Sequence, residues 1–271
     1  MIIYRKKLKK TEKTVQKQKK KVYSEKNHFQ TGEKKVGLEK DSKIKIRQKF
    51  PSGPRNLITD VKGVTVGHVT LNDDEKEIHT GVTAIRGHKG NLFQDKLPAG
   101  TAVINGFGKS AGLIQIDELG TLETPIIMTN TLSVGTALSA LTGYMLRENP
   151  DIGISTGTVN GVVTECNDGQ LNDIRGMHVT ENDVLQALEN CSETFEEGAV
   201  GSGTGMCCMG LKGGIGSASR IVTVDDRDYT IGVILMSNFG VRGNLTIDGF
   251  RPKGMELPPG ECEKGSVILV L

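Results

Sequence analysis

The stretch Glu263–Leu271, EKGSVILVL, decides how this sequence is read. Val267–Leu271 is an unbroken apolar run rich in β-branched residues, and it predicts a β-strand. Directly before it stand Gly265 and Ser266. Glycine reaches backbone conformations closed to other residues. The serine therefore opens the strand behind a permissive joint.

Upstream, the same strand signal recurs. VTVGHVTL ends at Leu71 and alternates apolar with polar. Further strands are predicted over His79–Ile85, Gly100–Gly106, Thr124–Asn130, Ser219–Val224 and Tyr229–Met236. The last two are joined through Asp225–Asp228 as a hairpin. Two helices stand between strands. Ser133–Glu148 is rich in Ala and Leu and stops before Asn149–Pro150. Thr180–Cys191 opens with Thr180 and carries Asp183 three residues on, close to a capping box. Mixed strands with intervening helices give an α/β or α+β class.

Charge divides the chain. Residues 1–50 carry 18 Lys/Arg against 5 Asp/Glu, and the remainder 16 against 27. We read residues 1–52 as a basic, disordered arm and 53–271 as the folded domain, because the arm holds too little apolar surface to offset its ordering entropy. It lacks an aromatic stacking ladder, so nucleic acid is not its expected partner. Nor is a membrane: no apolar run approaches the roughly 18 residues of a span. The first residues lack a secretory core, and we expect a cytoplasmic protein. The five cysteines show no CxxC spacing, so they read as reduced, mostly buried thiols rather than metal ligands.

Several motifs fail on inspection. Gly108–Ser110, GKS, lacks the glycine five residues earlier that a phosphate loop needs, since Val103 stands there. In Gly201–Gly216, Leu211 follows the GxxxxG spacing where lysine is required, and the glycines read as close backbone packing. Gly153–Gly157, GISTG, has the form of a nucleophile elbow, but the only later histidine, His178, is badly placed. The histidines His28, His68, His79, His88 and His178 form no HxH or HxxxH pair. Serine–histidine and cysteine–histidine catalysis both lack a base.

A serine needs no histidine if the peptide bond before it is cut. The freed α-amine has a pKa near 8 and serves as base. Gly265–Ser266 before a strand has the form of such a self-cleavage bond. The motifs around it point the same way. GPRNLITDVKGVTVGHVTL, HTGVTAI, MTNTLSVGTAL, VVTECNDGQLNDIRG, GAVGSGTGMCCMGLKGGIGSASR and SNFG occur in this order. Together, over residues 53–271, they closely resemble the DmpA/BapA family of L-aminopeptidase/D-esterases and β-peptidyl aminopeptidases.

The resemblance implies an αββα sandwich akin to N-terminal nucleophile hydrolases, with its own connectivity. It implies Ser266 as nucleophile after Gly265–Ser266 cleavage, and Asn238 as amide donor to the oxyanion. Glu165 matches the acid that receives a substrate's free amino group. Asn167 stands where some relatives carry a tyrosine that assists at the oxyanion. The implied substrates are small peptides, amides or esters with a free amino end, the implied assembly is a tetramer of processed pairs, and no metal or organic cofactor is implied. Family chains continue well past the nucleophile strand, so the sandwich is expected to be incomplete at its C-terminal end. An inactive remnant is one alternative. An acyltransferase of the ornithine acetyltransferase type is another, though those enzymes use threonine.

Overall fold

The computed structural model describes residues 48–104, 106–250 and 265–271. Most of the basic arm, residues 1–47, lies outside them, as do His28, Cys262 and residues 251–264.

The strands in chain order are β1 (Thr65–Asp73), β2 (Ile78–Arg86), β3 (Leu97–Pro98), β4 (Thr121–Leu122), β5 (Ile126–Asn130), β6 (Val162–Cys166), β7 (Cys207–Cys208), β8 (Leu211–Lys212), β9 (Gly214–Val224), β10 (Arg227–Asn238) and β11 (Ser266–Val270). The helices are α1 (Leu113–Leu119), α2 (Val134–Glu148) and α3 (Glu181–Glu189). One sheet has the order β1-β2-β5-β6, antiparallel except for the parallel pair β5–β6. A second, fully antiparallel sheet has the order β11-β10-β9. Helix α2 makes the crossover that a parallel pair requires.

Two apolar layers hold these elements together. On one face of the first sheet, Val82, Ala84, Ile127 and Val163 pack on Ala137, Leu141 and Met145 of α2 and on Val184, Ala187 and Leu188 of α3. On its other face, Val66, Ile85, Met128 and Cys166 meet Ile215, Ile234 and Met236 of the second sheet, with Ile268 and Val270 of β11 against them. Each fully buried side chain of this size contributes about 2 kcal/mol. With both faces covered, β2 is buried through Arg86's neighbour, and its sequence does not alternate in polarity. The described residues thus give helix, sheet and sheet layers. The second helical layer of the expected sandwich is not among them, and Val267 and Leu269 on the outer face of β11 are about half exposed.

Local chemistry sets the boundaries. Asn130 caps a 3-10 turn at Thr131–Ser133, its Oδ1 accepting the Leu132 and Ser133 N–H groups, and α2 follows directly. Pro150 keeps Asn149 out of helical space, so α2 ends at Glu148. Thr180 and Asp183 form a reciprocal capping box at α3, which stops at Glu189, short of Cys191. The β9–β10 hairpin turns on Asp225 and Asp226, both with positive φ, as a primed two-residue turn demands.

Two expectations need correction. Gly100–Gly106 forms no strand in its described residues. Its alternation finds no partner strand, and Val103 and Ile104 are left 62% and 99% exposed. Conversely β9 begins five residues before Ser219, at Gly214, and β10 runs on to Asn238, so Asn238 ends the strand rather than following it. Among the described residues no helix is long and apolar enough to cross a membrane.

Candidate active site

Register brings the site together. Ser266, the first residue of β11, pairs with Asn238, the last residue of β10. The Asn238 Nδ2 lies 3.5 Å from Ser266 Oγ and donates at 2.8 Å to the Asn167 carbonyl. Its Oδ1 accepts the Cys207 N–H at 3.0 Å. One acceptor and one donor partner therefore fix which way the amide points, with its N–H side toward the serine. Glycine at 265 has a steric reason, since a Cβ there would stand 2.5 Å from the Phe239 Cα.

Asn167 is at the site, but its side chain does not face the serine. Its Oδ1 accepts the Gly169 N–H at 3.0 Å, closing a local turn. Its backbone carbonyl touches the Asn238 amide instead. A side chain two bonds shorter in reach than tyrosine is captured by its own backbone.

Cys166 precedes Asn167 and is fully buried between the sheets. Its thiol donates to the Met236 carbonyl at 3.8 Å. Burial pushes this thiol up to about 12, so it stays protonated and is no nucleophile. Sequence reading placed it correctly as a buried thiol.

Glu165 points the other way from β6, because successive side chains alternate. It is only 4% exposed. The Lys109 N–H donates to its Oε1 at 2.9 Å and the Thr131 hydroxyl to its Oε2. Gly108 passes against the same oxygen, where a Cβ would sit 3.4 Å away. Lys109 itself turns aside, its Nζ donating to the Phe107 carbonyl and lying over the Phe107 ring. Among the described residues no cationic side chain forms an ion pair with Glu165. The GKS segment, rejected as a phosphate loop, supplies the N–H that holds this carboxylate.

Asp168 backs the loop. It is fully buried, with Asn172 Nδ2 donating to its Oδ1 at 3.1 Å. Burial raises its carboxyl from 3.8 to about 6. The rejected elbow serine, Ser155, lies in an exposed turn. His68 and His88 bond to the backbone carbonyls of Glu196 and Asp95, and His178 pairs with Asp173. Cys166, Cys191 and Cys208 are free thiols. Among the described residues no three His, Cys, Asp or Glu side chains gather as metal donors.

A serine opening an edge strand of a layered α/β fold, with a fixed amide beside its hydroxyl, gives an architecture of the N-terminal nucleophile type. The chain belongs to Peptidase family S58, whose pattern it matches over residues 56–271. It is 39% identical over 213 residues to the β-peptidyl aminopeptidase BapA of Sphingosinicella microcystinivorans, covering 76% of this chain and 52% of that protein. It thus spans about half the length of the curated relatives it matches. Among solved structures, the PH0078 protein of Pyrococcus horikoshii OT3 is 52% identical with a TM-score of 0.77, over 84% of this chain and 66% of that one. The Burkholderia sp. β-aminopeptidase is 39% identical with a TM-score of 0.74, over 83% and 63%. The L-aminopeptidase D-Ala-esterase/amidase of Ochrobactrum anthropi, described as a prototype of the serine aminopeptidases and a variant of the Ntn hydrolase fold, is 37% identical with a TM-score of 0.70, over 76% and 59%.

Proposed function

We propose that this protein is a self-processing aminopeptidase with Ser266 as its nucleophile. The observation that carries the reading is the pairing of Ser266 with Asn238, which sets an amide N–H 3.5 Å from Oγ at the start of β11.

Processing begins with attack of Ser266 Oγ on the Gly265 carbonyl. The Gly265–Ser266 C–N bond breaks as an ester forms, and the Ser266 nitrogen takes up the hydroxyl proton. Water then cleaves the ester to a Gly265 carboxylate and a free Ser266 hydroxyl. The new α-amine has a pKa near 8 and acts as base in turnover. A substrate carbonyl is attacked in the same place, and Asn238 donates to the oxygen as it gains charge, an interaction worth about 3 kcal/mol.

Glu165 is the receptor for the substrate's ammonium. A buried carboxylate held only by neutral donors gains most from an incoming cation. Glu165 and Cys166 leave opposite faces of β6, so the substrate lies across the carboxyl end of that strand. Names of relatives support small peptides and amides with a free amino end as substrates, β-amino residues among them. Asn167 contributes to the substrate site through its carbonyl. Free thiols at Cys166, Cys191 and Cys208 suit a reducing compartment, the cytoplasm. Exposed Ile114, Leu119, Val267 and Leu269 give apolar surface for an oligomer, a tetramer of processed pairs by family resemblance.

The test compares alanine p-nitroanilide with its N-acetylated form. The account expects hydrolysis of the free amine only; equal rates on both forms reject the aminopeptidase reading.

A further inference from the structure

The glycine-rich segment Gly201–Gly216 contains one charged residue, Lys212, and its ammonium folds back onto the segment. Nζ donates to the carbonyls of Gly213 at 2.7 Å, Met206 at 2.8 Å and Gly203 at 3.1 Å. An ammonium carries three N–H donors, and these three carbonyls are among the acceptors it meets. The Met206 carbonyl also accepts the Gly213 N–H at 2.9 Å. That carbonyl belongs to the same peptide group as the Cys207 N–H, which donates to Asn238 Oδ1. Asn238 in turn directs Nδ2 toward Ser266 Oγ. Ammonium, peptide and side-chain amide thus form one chain of hydrogen bonds that ends at the serine.

Amides transmit polarisation. A positive charge on a peptide oxygen draws electron density from the nitrogen and makes its N–H a stronger donor. The same holds for Asn238, whose oxygen receives that N–H. Hydrogen bonds in such chains strengthen one another by about 10–30% each. The ammonium also keeps the Met206–Cys207 peptide from rotating, and so keeps the Asn238 rotamer.

We infer that Lys212 is a positioning residue for the Asn238 amide, acting through the Met206–Cys207 peptide on both its orientation and its donor strength. The inference rests on the reading of Asn238 as the oxyanion donor. It also gives the KGG segment a task that no phosphate-loop reading provides.

The test uses the wild type, Lys212→Met, Lys212→Arg and, as reference, Asn238→Ala. Three readouts are taken: appearance of the Gly265–Ser266 break by intact mass, kcat and KM on alanine p-nitroanilide, and the NMR shift of the Asn238 side-chain amide protons. Lys212→Met keeps the apolar stem, and the Gly213 N–H still holds the Met206 carbonyl, so the segment retains support; thermal melting checks it. The expected result is a kcat and break rate about thirty-fold lower with KM within about three-fold. The Asn238 amide protons move upfield, and Lys212→Arg recovers part of both. Wild-type kcat and unmoved amide protons in Lys212→Met, with Asn238→Ala slow, overturn the inference and leave the oxyanion reading standing. Wild-type rates in Asn238→Ala overturn both. If the wild type shows neither break nor turnover, the amide protons alone decide: an upfield move supports the inference and an unmoved signal rejects it.

Discussion

At the carboxyl end of β6, Cys166 and Glu165 leave the strand in opposite directions, and the two sides differ in kind. The Cys166 side holds Ser266, a thiol that burial keeps protonated, and an amide fixed at both ends. Every group named there is neutral. The Glu165 side holds a buried carboxylate gripped by a backbone N–H and a hydroxyl. Neutral, pre-oriented dipoles suit charge that appears during a reaction. A carboxylate without a paired cation suits charge that arrives with the substrate. Under the proposed function, the difference separates making the bond change from choosing the molecule.

Substitutions sharpen or break that division. Ser266→Ala has the largest effect: the Gly265–Ser266 break disappears and turnover falls more than about 10⁴-fold, followed by intact mass and anilide hydrolysis. Asn238→Ala comes next, lowering kcat about 10²–10³-fold with KM little changed, since its N–H meets charge only in the transition state. Glu165→Gln acts on the other side. It raises KM about thirty-fold for a free-amine substrate and leaves kcat within about three-fold. Should Glu165→Gln lower kcat alone, the division fails, and the carboxylate is an anchor for the Gly108–Lys109 loop.

The smallest effect is on stability. The buried Asp168 carboxyl is raised from 3.8 to about 6, so its contribution is full below 3.8 and is lost as pH climbs through about 6. Tm of the wild type is expected to drop over that window by about 3 °C more than that of Asp168→Asn, read by thermal melting in matched buffers.

How far the sequence spoke depends on what each residue contacts. The Gly-Ser joint before an apolar run singled out Ser266, and the motifs around it carry the proposal of its role. Asn238 and Glu165 are proposed as site residues only through the order of long motifs. β6 escaped because five residues beside a parallel partner carry little periodicity of their own. Gly100–Gly106 was over-read, since alternation promises a strand only where a neighbour exists to pair with it. The Asn167 side chain was assigned by position, whereas its local turn decided where it points. Lys212 was invisible because its partners at Gly203, Met206 and Gly213 are backbone carbonyls, which no residue spacing encodes.

The central claim is that Ser266 becomes an N-terminal nucleophile. Intact-mass measurement of the purified protein, beside Ser266→Ala, tests it most directly. The expected result is a break between Gly265 and Ser266 in the first and an unbroken chain in the second. An unbroken wild type whose peptidase activity survives Ser266→Ala would contradict it.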